Sequence, residues 1–390
     1  MKVCFLGLGY IGLPTAIVAA SAGYKVHGVD VKENLVSDLN YGILPLEENG
    51  LESMFLESRE NLSFSLQPVE AEVYVVAVPT PFTVDMLPDV SYVISACSAV
   101  FEVIQEGGLL VIESTSPVGT TGLVEELWRS SPRSKTVNIN FAYCPERVIP
   151  GNLIQELKSN DRIIGANTEV GANLAMSFYS GFVEGKLLRT NWRTAEMCKL
   201  VENSFRDVNI AFANELANLS EKFEVDVYEL IKLANHHPRV NVLKPGIGVG
   251  GHCLAVDPYF LVSAAPEEAK LISLSREINR SRPKVISEKI LDLAEARSAK
   301  SIALCGFTYK PDIDDYRESP AIEIIDYLIE RNTDFRITVF DPNVKIKVFE
   351  NQFLDLPEPK NFDLIIILVD HSAFGRLKSE KVTNVVSMVS

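Results

Sequence analysis

The sequence predicts an α/β fold with two doubly wound parallel sheets, joined by a long helical middle region. Three observations lead to this prediction. Short apolar strands alternate with helical segments from the first residues onward, which is typical of a parallel sheet with crossover helices. Residues 195–222 form a long run of good helix formers without glycine or proline. After about residue 300, strands and helices alternate again.

The length of the chain indicates several domains, because 390 residues exceed what a single hydrophobic core usually accommodates. We predict three domains, which cover residues 1–190, 191–290 and 291–390. The middle domain would contain the long helix, which is suited to connect its neighbours and to form a dimer interface.

The first predicted domain shows the alternation most clearly. Its segments are, in order, the strand Val3–Leu6, the helix Leu13–Ala22 and the strands Lys25–Val29, Val73–Val78 and Leu109–Ile112. Turns rich in Thr, Ser and Pro follow the last two strands. Ligands of open parallel sheets bind beyond the carboxyl ends of the strands, so we expect a cofactor near these turns.

The remainder of the chain begins with a helix over Ala195–Lys222, followed by a glycine-rich loop at Pro245–Gly251. A second helical stretch, Glu267–Leu293, is expected to break or kink near Pro283, because proline lacks the amide that a helix interior needs. The later strands are predicted at Ser301–Cys305, Ile337–Phe340 and Leu364–Val369.

Charge and composition exclude several classes of protein. The net charge of −15 argues against nucleic-acid binding, because phosphate contacts need clustered Lys and Arg. No apolar stretch approaches the roughly 20 residues that span a bilayer. The short apolar run at the N-terminus leads directly into a glycine motif, which indicates a strand and not a signal peptide. The six cysteines lack the spacing of disulfide frameworks and zinc sites, so we expect a cytoplasmic protein without a metal site.

A dinucleotide motif, G-x-G-x-x-G, lies between the first strand and the first helix. Gly7, Gly9 and Gly12 would allow the tight turn, the close approach of a pyrophosphate and the packing of helix on strand. Asp30 ends the second strand, where a carboxylate can bond the ribose hydroxyls and repel a 2′-phosphate. The motif predicts a Rossmann-like domain that binds NAD in preference to NADP, although FAD would use the same glycines.

Cys253 is the candidate nucleophile, because it ends a loop with four glycines in six positions. Such a loop allows backbone amides to surround an anion and a substrate to approach closely. Asp257 lies nearby in the sequence, and His252 is adjacent, although neighbouring side chains often diverge. The other five cysteines lie in predicted strands, a helix or an apolar turn and are interpreted as small buried hydrophobic residues.

A polar stripe is predicted on the long helix. Lys199 and Asn203 are four residues apart and therefore share a face, with Glu196 and Arg206 beside them. Solvated polar stripes are common on helices, so the spacing alone leaves a functional role undecided.

The sequence resembles the UDP-glucose/GDP-mannose dehydrogenase family over nearly its whole length. The resemblance rests on the segments Gly7–Gly12, Glu113–Gly119, Cys144–Arg147, Ala195–Glu215, Gly250–Pro258 and Gly306–Ser319. It implies NAD as cofactor, a UDP-sugar as substrate and a homodimer or larger homo-oligomer. It also implies that the third domain binds the UDP-sugar.

The resemblance implies a four-electron oxidation of a C6 alcohol to a carboxylate. Cys253 would capture the intermediate aldehyde as a thiohemiacetal and then carry the thioester. Lys199 and Asn203 would stabilise the oxyanions of the tetrahedral stages. Glu146, with Thr115 holding a water molecule, would be the base for hydrolysis, and Asp257 would assist the water or orient Lys199.

The resemblance also implies the binding residues. Besides the motif glycines and Asp30, the residues expected to contact NAD are Tyr10, Ile11, Thr80, Thr115 and Arg317. The residues expected to line the sugar-nucleotide site are Arg147, Val148, Lys199, Asn203, Arg206, His237, Arg239, Gly246, Tyr309 and Lys310.

The expected substrate is UDP-N-acetyl-D-mannosamine. The stretch Asn235–Asn241 resembles the members of the family that oxidise this sugar, and Val256 stands where the UDP-glucose enzymes carry Lys. UDP-N-acetylglucosamine and UDP-glucose remain alternatives with the same chemistry. A two-electron hydroxyacid dehydrogenase would form one NADH per substrate, and a non-catalytic dinucleotide sensor would bind NAD without turnover.

Overall fold

The computed structural model describes residues 1–46, 48–83, 87–148, 151–251, 253–331 and 334–385. The chain divides into two compact units, residues 1–201 and 202–390. No helix within the described ranges combines the length and the apolar character needed to cross a membrane.

One sheet organises the first unit. Its strands are β1 Lys2–Leu6, β2 Lys25–Val29, β3 Leu62–Ser65, β4 Val73–Val76, β5 Leu109–Ile112, β6 Asn140–Tyr143, β7 Arg162–Ala166 and β8 Leu187–Thr190. They lie in the order β3-β2-β1-β4-β5-β6-β7-β8. Successive residues of β1 face opposite sides, so that Val3 and Phe5 join one hydrophobic cluster while Cys4 and Leu6 join another. Both faces of the sheet are therefore covered, as in a doubly wound fold.

The helices of the first unit are α1 Gly12–Ser21, α2 Glu33–Asn40, α3 Leu51–Glu57, α4 Ser91–Phe101, α5 Thr120–Ser130, α6 Leu153–Ser159 and α7 Glu169–Tyr179. The sheet departs from the all-parallel prediction at one place, because β6 and β7 pair antiparallel, with Tyr143 opposite Gly165. An antiparallel strand starts where its neighbour ends, so the connection through the short helix α6 need not cross the sheet.

The long helix α8, Trp192–Lys222, begins in the first unit and continues in the second. It was predicted to start at Ala195, three residues late. The side chain of Asn191 accepts a hydrogen bond of 2.9 Å from the amide of Thr194, which is the arrangement of an N-terminal helix cap.

The second unit contains α9 Val227–Ala234, α10 Asp257–Ala264, α11 Lys270–Ala296 and α12 Pro320–Arg331, with strands β9 Ser301–Cys305, β10 Arg336–Phe340, β11 Gln352–Phe353, β12 Leu364–Ile367 and β13 Val382–Asn384. The strands form a parallel sheet in the order β11-β10-β9-β12-β13. Ile302 and Leu304 face one hydrophobic cluster, and Ala303 and Cys305 face the other. This sheet is also doubly wound, as predicted.

The helix does not break near Pro283, because α11 runs continuously from Lys270 to Ala296, and the alternative of a kink there remains a prediction. Proline removes only one hydrogen bond from the helix. Arg282, Pro283, Ile286 and Ile290 are all buried in this helix, and we attribute its continuity to that packing. The predicted three-domain boundaries remain a prediction.

Candidate active site

The three motif glycines after β1 have different local environments. Gly7 has a φ of 93°, and a Cβ added there would lie 2.5 Å from the carbonyl oxygen of Ala77. A Cβ on Gly12 would lie 2.0 Å from the carbonyl oxygen of Gly7. These two glycines are required by the protein itself. Gly9 is different, because a Cβ there would meet nothing within 4 Å.

The open space at Gly9 is where a pyrophosphate would approach the backbone. Helix α1 starts immediately afterwards without a side-chain cap, which leaves its first amides oriented for an anion. Asp30 follows β2 and is half-buried, and its carboxylate accepts hydrogen bonds from the amides of Leu8 at 2.9 Å and Lys32 at 3.0 Å. The chain's own residues therefore fit a bound dinucleotide.

The turns after β4 and β5 are joined to each other by Ser114. Its hydroxyl donates a hydrogen bond of 2.8 Å to the carbonyl oxygen of Val78, and Ser116 donates one of 2.9 Å back to Ser114. Thr80 and Thr115 lie in these turns and are half-buried. Tyr10 is more exposed, and its hydroxyl bonds Glu48.

Glu196 caps the helix that follows Thr115. Its buried carboxylate accepts hydrogen bonds of 2.7 Å from the amides of both Gly119 and Thr121, and one of 2.6 Å from the Thr121 hydroxyl. The sequence analysis left the role of the polar stripe that contains Glu196 undecided, and the structure shows that this carboxylate is buried and caps a helix. A carboxylate at a helix N-terminus is stabilised by the helix dipole, so Glu196 holds α5 and the preceding turn in place.

Glu146 belongs to a buried charged cluster that sequence reasoning did not identify. Its carboxylate lies 2.8 Å from the guanidinium of Arg162, whose other nitrogen lies 3.6 Å from Glu113. The Tyr179 hydroxyl donates a hydrogen bond of 2.6 Å to Glu113. Arg162 also lies over the Tyr179 ring, with its central carbon 5.2 Å from the ring centroid. No local pattern marks Arg162, which begins a strand in the sequence.

Burial dominates the protonation of this cluster. It raises the pKa of Glu113 to about 7, with Arg162 opposing the shift and Glu146 adding to it. Burial also raises the pKa of the neighbouring Cys144 thiol to about 12. A thiol that holds its proton this firmly is a poor nucleophile.

Cys253 is exposed, whereas Cys4, Cys97, Cys144 and Cys305 are buried and Cys198 is half-buried. The carbonyl of Cys253 accepts a hydrogen bond of 2.8 Å from the amide of Asp257, the first residue of α10. Cys253 therefore lies one turn before the start of α10. His252 lies outside the described residues.

Asn203 and Asp257 contact each other, a pairing that the sequence analysis did not anticipate. The Asn203 amide donates a hydrogen bond of 2.5 Å to the Asp257 carboxylate, and both side chains are buried. The side chain of Lys199 is half-buried, and its ammonium forms no hydrogen bond or ion pair with the rest of the described chain. Arg206 is exposed.

The glycine-rich loop packs closely against the segment that carries Tyr309. A Cβ on Gly251 would lie 3.2 Å from the Tyr309 ring, and one on Gly250 would lie 2.5 Å from the carbonyl oxygen of Glu318. Gly246 is open, because an added Cβ would meet nothing within 4 Å. Gly248 is also constrained, with a φ of 139° and an added Cβ that would lie 3.0 Å from Pro320, so three glycines of the loop are required by the protein itself and Gly246 leaves space for a ligand.

The peptide groups of Gly246 are held from two helices. Its amide donates a hydrogen bond of 2.9 Å to the Asn214 side chain, and its carbonyl accepts one of 3.0 Å from Arg282. The Asn214 amide donates a hydrogen bond of 3.0 Å to the side-chain oxygen of Asn279. Asn279 in turn bonds Asp207 at 2.9 Å. Sequence reasoning missed this buried network, which joins α8, α11 and the loop.

The remaining predicted site residues vary in exposure. Arg147 and Val148 are half-buried, and Arg147 donates a hydrogen bond of 3.0 Å to the carbonyl of Asp161. Arg317 is exposed and forms an ion pair of 2.8 Å with Asp315. Tyr309 is half-buried, whereas His237, Arg239 and Lys310 are exposed.

Three family models together match most of the chain. The NAD binding domain of the UDP-glucose/GDP-mannose dehydrogenase family matches residues 1–183. The central domain of the same family matches residues 193–281, and its UDP binding domain matches residues 303–389.

Individual relatives agree over almost the full length. The UDP-N-acetyl-D-mannosamine dehydrogenase of Campylobacter jejuni is 44% identical over 98% of this chain and 98% of its own. The NDP-N-acetyl-D-galactosaminuronic acid dehydrogenase of Ralstonia nicotianae is 42% identical over 97% and 93%. The solved structure of the UDP-D-ManNAc dehydrogenase of Pyrococcus horikoshii is 37% identical and covers 98% of this chain and 94% of its own, with a TM-score of 0.88. The chain therefore belongs to the UDP-glucose/GDP-mannose dehydrogenase family and is an NAD-dependent UDP-sugar dehydrogenase.

Proposed function

We propose that this enzyme oxidises UDP-N-acetyl-D-mannosamine to UDP-N-acetyl-D-mannosaminuronate through a covalent intermediate on Cys253. The observation that carries the covalent step is the exposure of Cys253, one turn before α10 and at the end of a glycine-rich loop. The start of a helix favours a negative thiolate, which is the reactive form of cysteine.

In the first half of the reaction the C6 alcohol loses a hydride and a proton and becomes an aldehyde. NAD supplies the hydride acceptor when it is bound. The Cys253 sulfur then adds to the aldehyde carbon, and the carbonyl oxygen becomes the hydroxyl of a thiohemiacetal. Loss of a second hydride and a proton converts that carbon into a thioester, which still retains the sulfur.

Lys199 and Asn203 are assigned to stabilise two oxyanions. The first forms when the Cys253 sulfur adds to the aldehyde, and the second forms when water adds to the thioester. The Lys199 ammonium has no partner in the described chain and is available for a ligand. Asn203 is oriented by its hydrogen bond to Asp257, so Asp257 has a positioning role in this proposal. These assignments predict that Asp257→Ala would leave Asn203 less well oriented.

Glu146 is assigned as the base for hydrolysis, with Thr115 holding the water. Water gives its proton to Glu146 and its oxygen to the acyl carbon, and the thiolate leaves and regains a proton. Burial of Glu146 and its ion pair with Arg162 support a carboxylate held in a fixed orientation.

The binding roles follow the same proposal. The residues assigned to NAD are Gly7, Gly9, Tyr10, Ile11, Gly12, Asp30, Thr80, Thr115 and Arg317. The residues assigned to the UDP-sugar are Arg147, Val148, Lys199, Asn203, Arg206, His237, Arg239, Gly246, Tyr309 and Lys310. Open space at Gly9 and Gly246 supports a ligand at each position.

The choice of sugar is supported by the similarity to the mannosamine enzymes and by Val256. UDP-N-acetylglucosamine and UDP-glucose are the alternatives with the same chemistry. The Ralstonia relative adds an N-acetylgalactosamine-type sugar to the substrates that should be compared. A non-catalytic sensor of dinucleotides is disfavoured by the exposed thiol.

The domain roles are proposed with the same residues as predicted: NAD binding for 1–190, a helical dimerisation domain for 191–290 and UDP-sugar binding for 291–390. Phe205, Phe212 and Leu219 are exposed at seven-residue intervals and therefore share one face of α8. An exposed apolar stripe of this kind supports a homodimer.

We also propose that the enzyme is cytoplasmic, which is consistent with its scattered cysteines. Its product would be a sugar acid for polysaccharide synthesis.

The test compares UDP-N-acetylmannosamine, UDP-N-acetylglucosamine, UDP-N-acetylgalactosamine and UDP-glucose at low concentration, where the rate reports kcat/KM. We expect the mannosamine substrate to have the highest kcat/KM and to form two NADH per sugar. Faster oxidation of UDP-glucose would reject the sugar assignment. One NADH per sugar would reject the four-electron reaction.

A further inference from the structure

Two buried carboxyl groups share one guanidinium behind the turn that carries Thr115. Glu113 directly follows β5, Glu146 follows β6, and Arg162, the first residue of β7, forms ion pairs with both. The side chains of Glu113 and Arg162 are 0% and 4% exposed, and that of Glu146 is 8% exposed. With both acids ionised, one positive charge would face two negative charges in a site with little solvent.

The surroundings of Glu113 contain few other polar groups. Tyr179, from α7, donates a hydrogen bond to the same carboxylate oxygen that faces Arg162. Cys144, two residues before Glu146 in the sequence, is a buried thiol near Glu113, Glu146 and Arg162. Among the residues that the structure describes, the titratable groups that act on Glu113 are Glu146, Arg162, Tyr179 and Cys144. Arg162 cannot lose its proton at ordinary pH, so a change in charge of this cluster falls on a carboxyl group.

We propose that Glu113 is a positioning residue that sets the proton affinity of Glu146 through their shared Arg162, and that Tyr179 tunes Glu113. This inference rests on the proposed role of Glu146 as the base for hydrolysis. It concerns how strong that base is, and it requires no contact between Glu113 and the substrate.

The direction of the effect follows from the charges. When Glu113 is protonated, the full charge of Arg162 acts on Glu146 and weakens it as a base. When Glu113 is ionised, its negative charge competes for Arg162 and repels the charge on Glu146, which strengthens Glu146 as a proton acceptor. Burial raises the pKa of Glu113 to about 7, so this change of charge falls near neutral pH.

The experiment measures hydrolysis alone. Enzyme in excess over UDP-N-acetylmannosamine is mixed with saturating NAD, and samples are quenched with acid at intervals. The mass of the intact protein is then measured by mass spectrometry to follow the decay of the acyl-enzyme. In the wild type we expect the decay rate to rise about tenfold as the pH passes through 7, because a nearby charge changes the strength of the base. Glu113→Gln should remove this rise and keep the slow rate. An unchanged pH profile in Glu113→Gln would overturn the inference.

Tyr179→Phe provides a second variant that changes only one hydroxyl. The lost hydrogen bond stabilises ionised Glu113, so the midpoint of the profile should move to higher pH while the plateau at high pH is kept. Tyr24→Phe is the matched control, since the Tyr24 hydroxyl donates to the carbonyl of Phe178, next to Tyr179, and contacts no carboxylate of the residues that the structure describes. Tyr24→Phe should retain the wild-type midpoint. Equal midpoints in both variants and the wild type would also overturn the inference.

Glu146→Gln separates this inference from the proposed function. If acyl-enzyme decays as fast in Glu146→Gln as in the wild type, Glu146 is not the base and the proposed hydrolysis mechanism fails. If Glu146→Gln is slow while Glu113→Gln keeps the wild-type profile, only the tuning by Glu113 is rejected.

Discussion

The two units place an aspartate at the same point of the same strand arrangement. Asp30 follows β2 and accepts a hydrogen bond from the amide of Leu8 at 2.9 Å, just beyond β1. Asp341 follows β10 and accepts one from the amide of Phe307 at 2.8 Å, just beyond β9. Each carboxylate therefore fixes the turn that leaves the first strand of its own sheet.

The glycines that begin these turns also correspond. Gly7 and Gly306 have φ angles of 93° and 81°. An added Cβ would lie 2.5 Å from the carbonyl oxygen of Ala77 in one unit and 2.4 Å from that of Val369 in the other. The turn geometry is therefore common to both sheets, and it does not decide what each sheet binds.

The two units differ at the residue two positions after this glycine and in what covers the aspartate. Gly9 leaves open space, whereas the corresponding Thr308 is buried and its hydroxyl donates a hydrogen bond of 2.8 Å to the carbonyl of Lys310. Asp341 is fully buried, and His371 lies 3.2 Å from it. Asp30 is only half-buried. In our proposal, a Rossmann-like unit binds a dinucleotide when the space for the phosphates and the ribose acceptor are both left uncovered.

The largest expected effect separates the chemistry from cofactor binding. Cys253→Ser should lower net turnover by at least about a thousandfold, because serine without a base is a poor nucleophile and its ester hydrolyses slowly. NAD affinity should be unchanged, since the glycine turn and Asp30 are intact. Steady-state NADH formation and NAD titration measure the two properties. Wild-type turnover in this variant would reject the covalent mechanism.

Gly9→Thr gives the first turn the residue that occupies the second. We expect NAD affinity to fall by about a hundredfold, because the side chain fills the space where the pyrophosphate approaches the backbone. The stability of the protein should change little, since nothing lies within 4 Å of a Cβ at this position. Fluorescence titration and thermal unfolding test the two expectations. NAD binding within twofold of the wild type would mean that the open space is not the phosphate site.

The aspartates should respond in opposite ways. Asp30→Ala should weaken NAD binding by about tenfold and reduce the preference for NAD over NADP, because the ribose acceptor and the repulsion of a 2′-phosphate are lost. Asp341→Ala should leave NAD affinity unchanged but cost about 2–4 kcal/mol of stability, because buried donors lose their acceptor. Cofactor titration and urea unfolding distinguish these outcomes. Equal losses of NAD affinity in both variants would contradict the proposed difference between the units.

Local patterns indicated those candidate site residues that are contiguous in the chain, and their roles remain predictions. The glycine motif, Asp30 and the Cys253 loop each carry their signal within a few residues, and the alternating buried strands predicted both sheets. The Glu113 cluster could not be predicted in this way, because Tyr179 and Glu113 are 66 residues apart. Arg162 enters the cluster through the antiparallel pairing of β6 and β7, which the sequence analysis did not anticipate.

Buried polar side chains were the other class whose surroundings the sequence patterns left undecided. Glu196 has the helical spacing of an exposed stripe, yet it caps a helix that is 75 residues away in the chain. Spacing along one helix establishes which residues share a face, but only the packing of that face determines whether it meets solvent or another helix.

The smallest expected change tests whether clearing the phosphate space is sufficient. Thr308→Gly gives the second turn the open residue of the first. It should cost about 1 kcal/mol of stability, because the bond to Lys310 is lost and glycine is more flexible in the unfolded chain. No second NAD site should appear, since Asp341 remains buried beneath His371. Calorimetric titration should still give one NAD per chain. A second equivalent would show that Thr308 alone closes the unit, and that covering the aspartate is unnecessary.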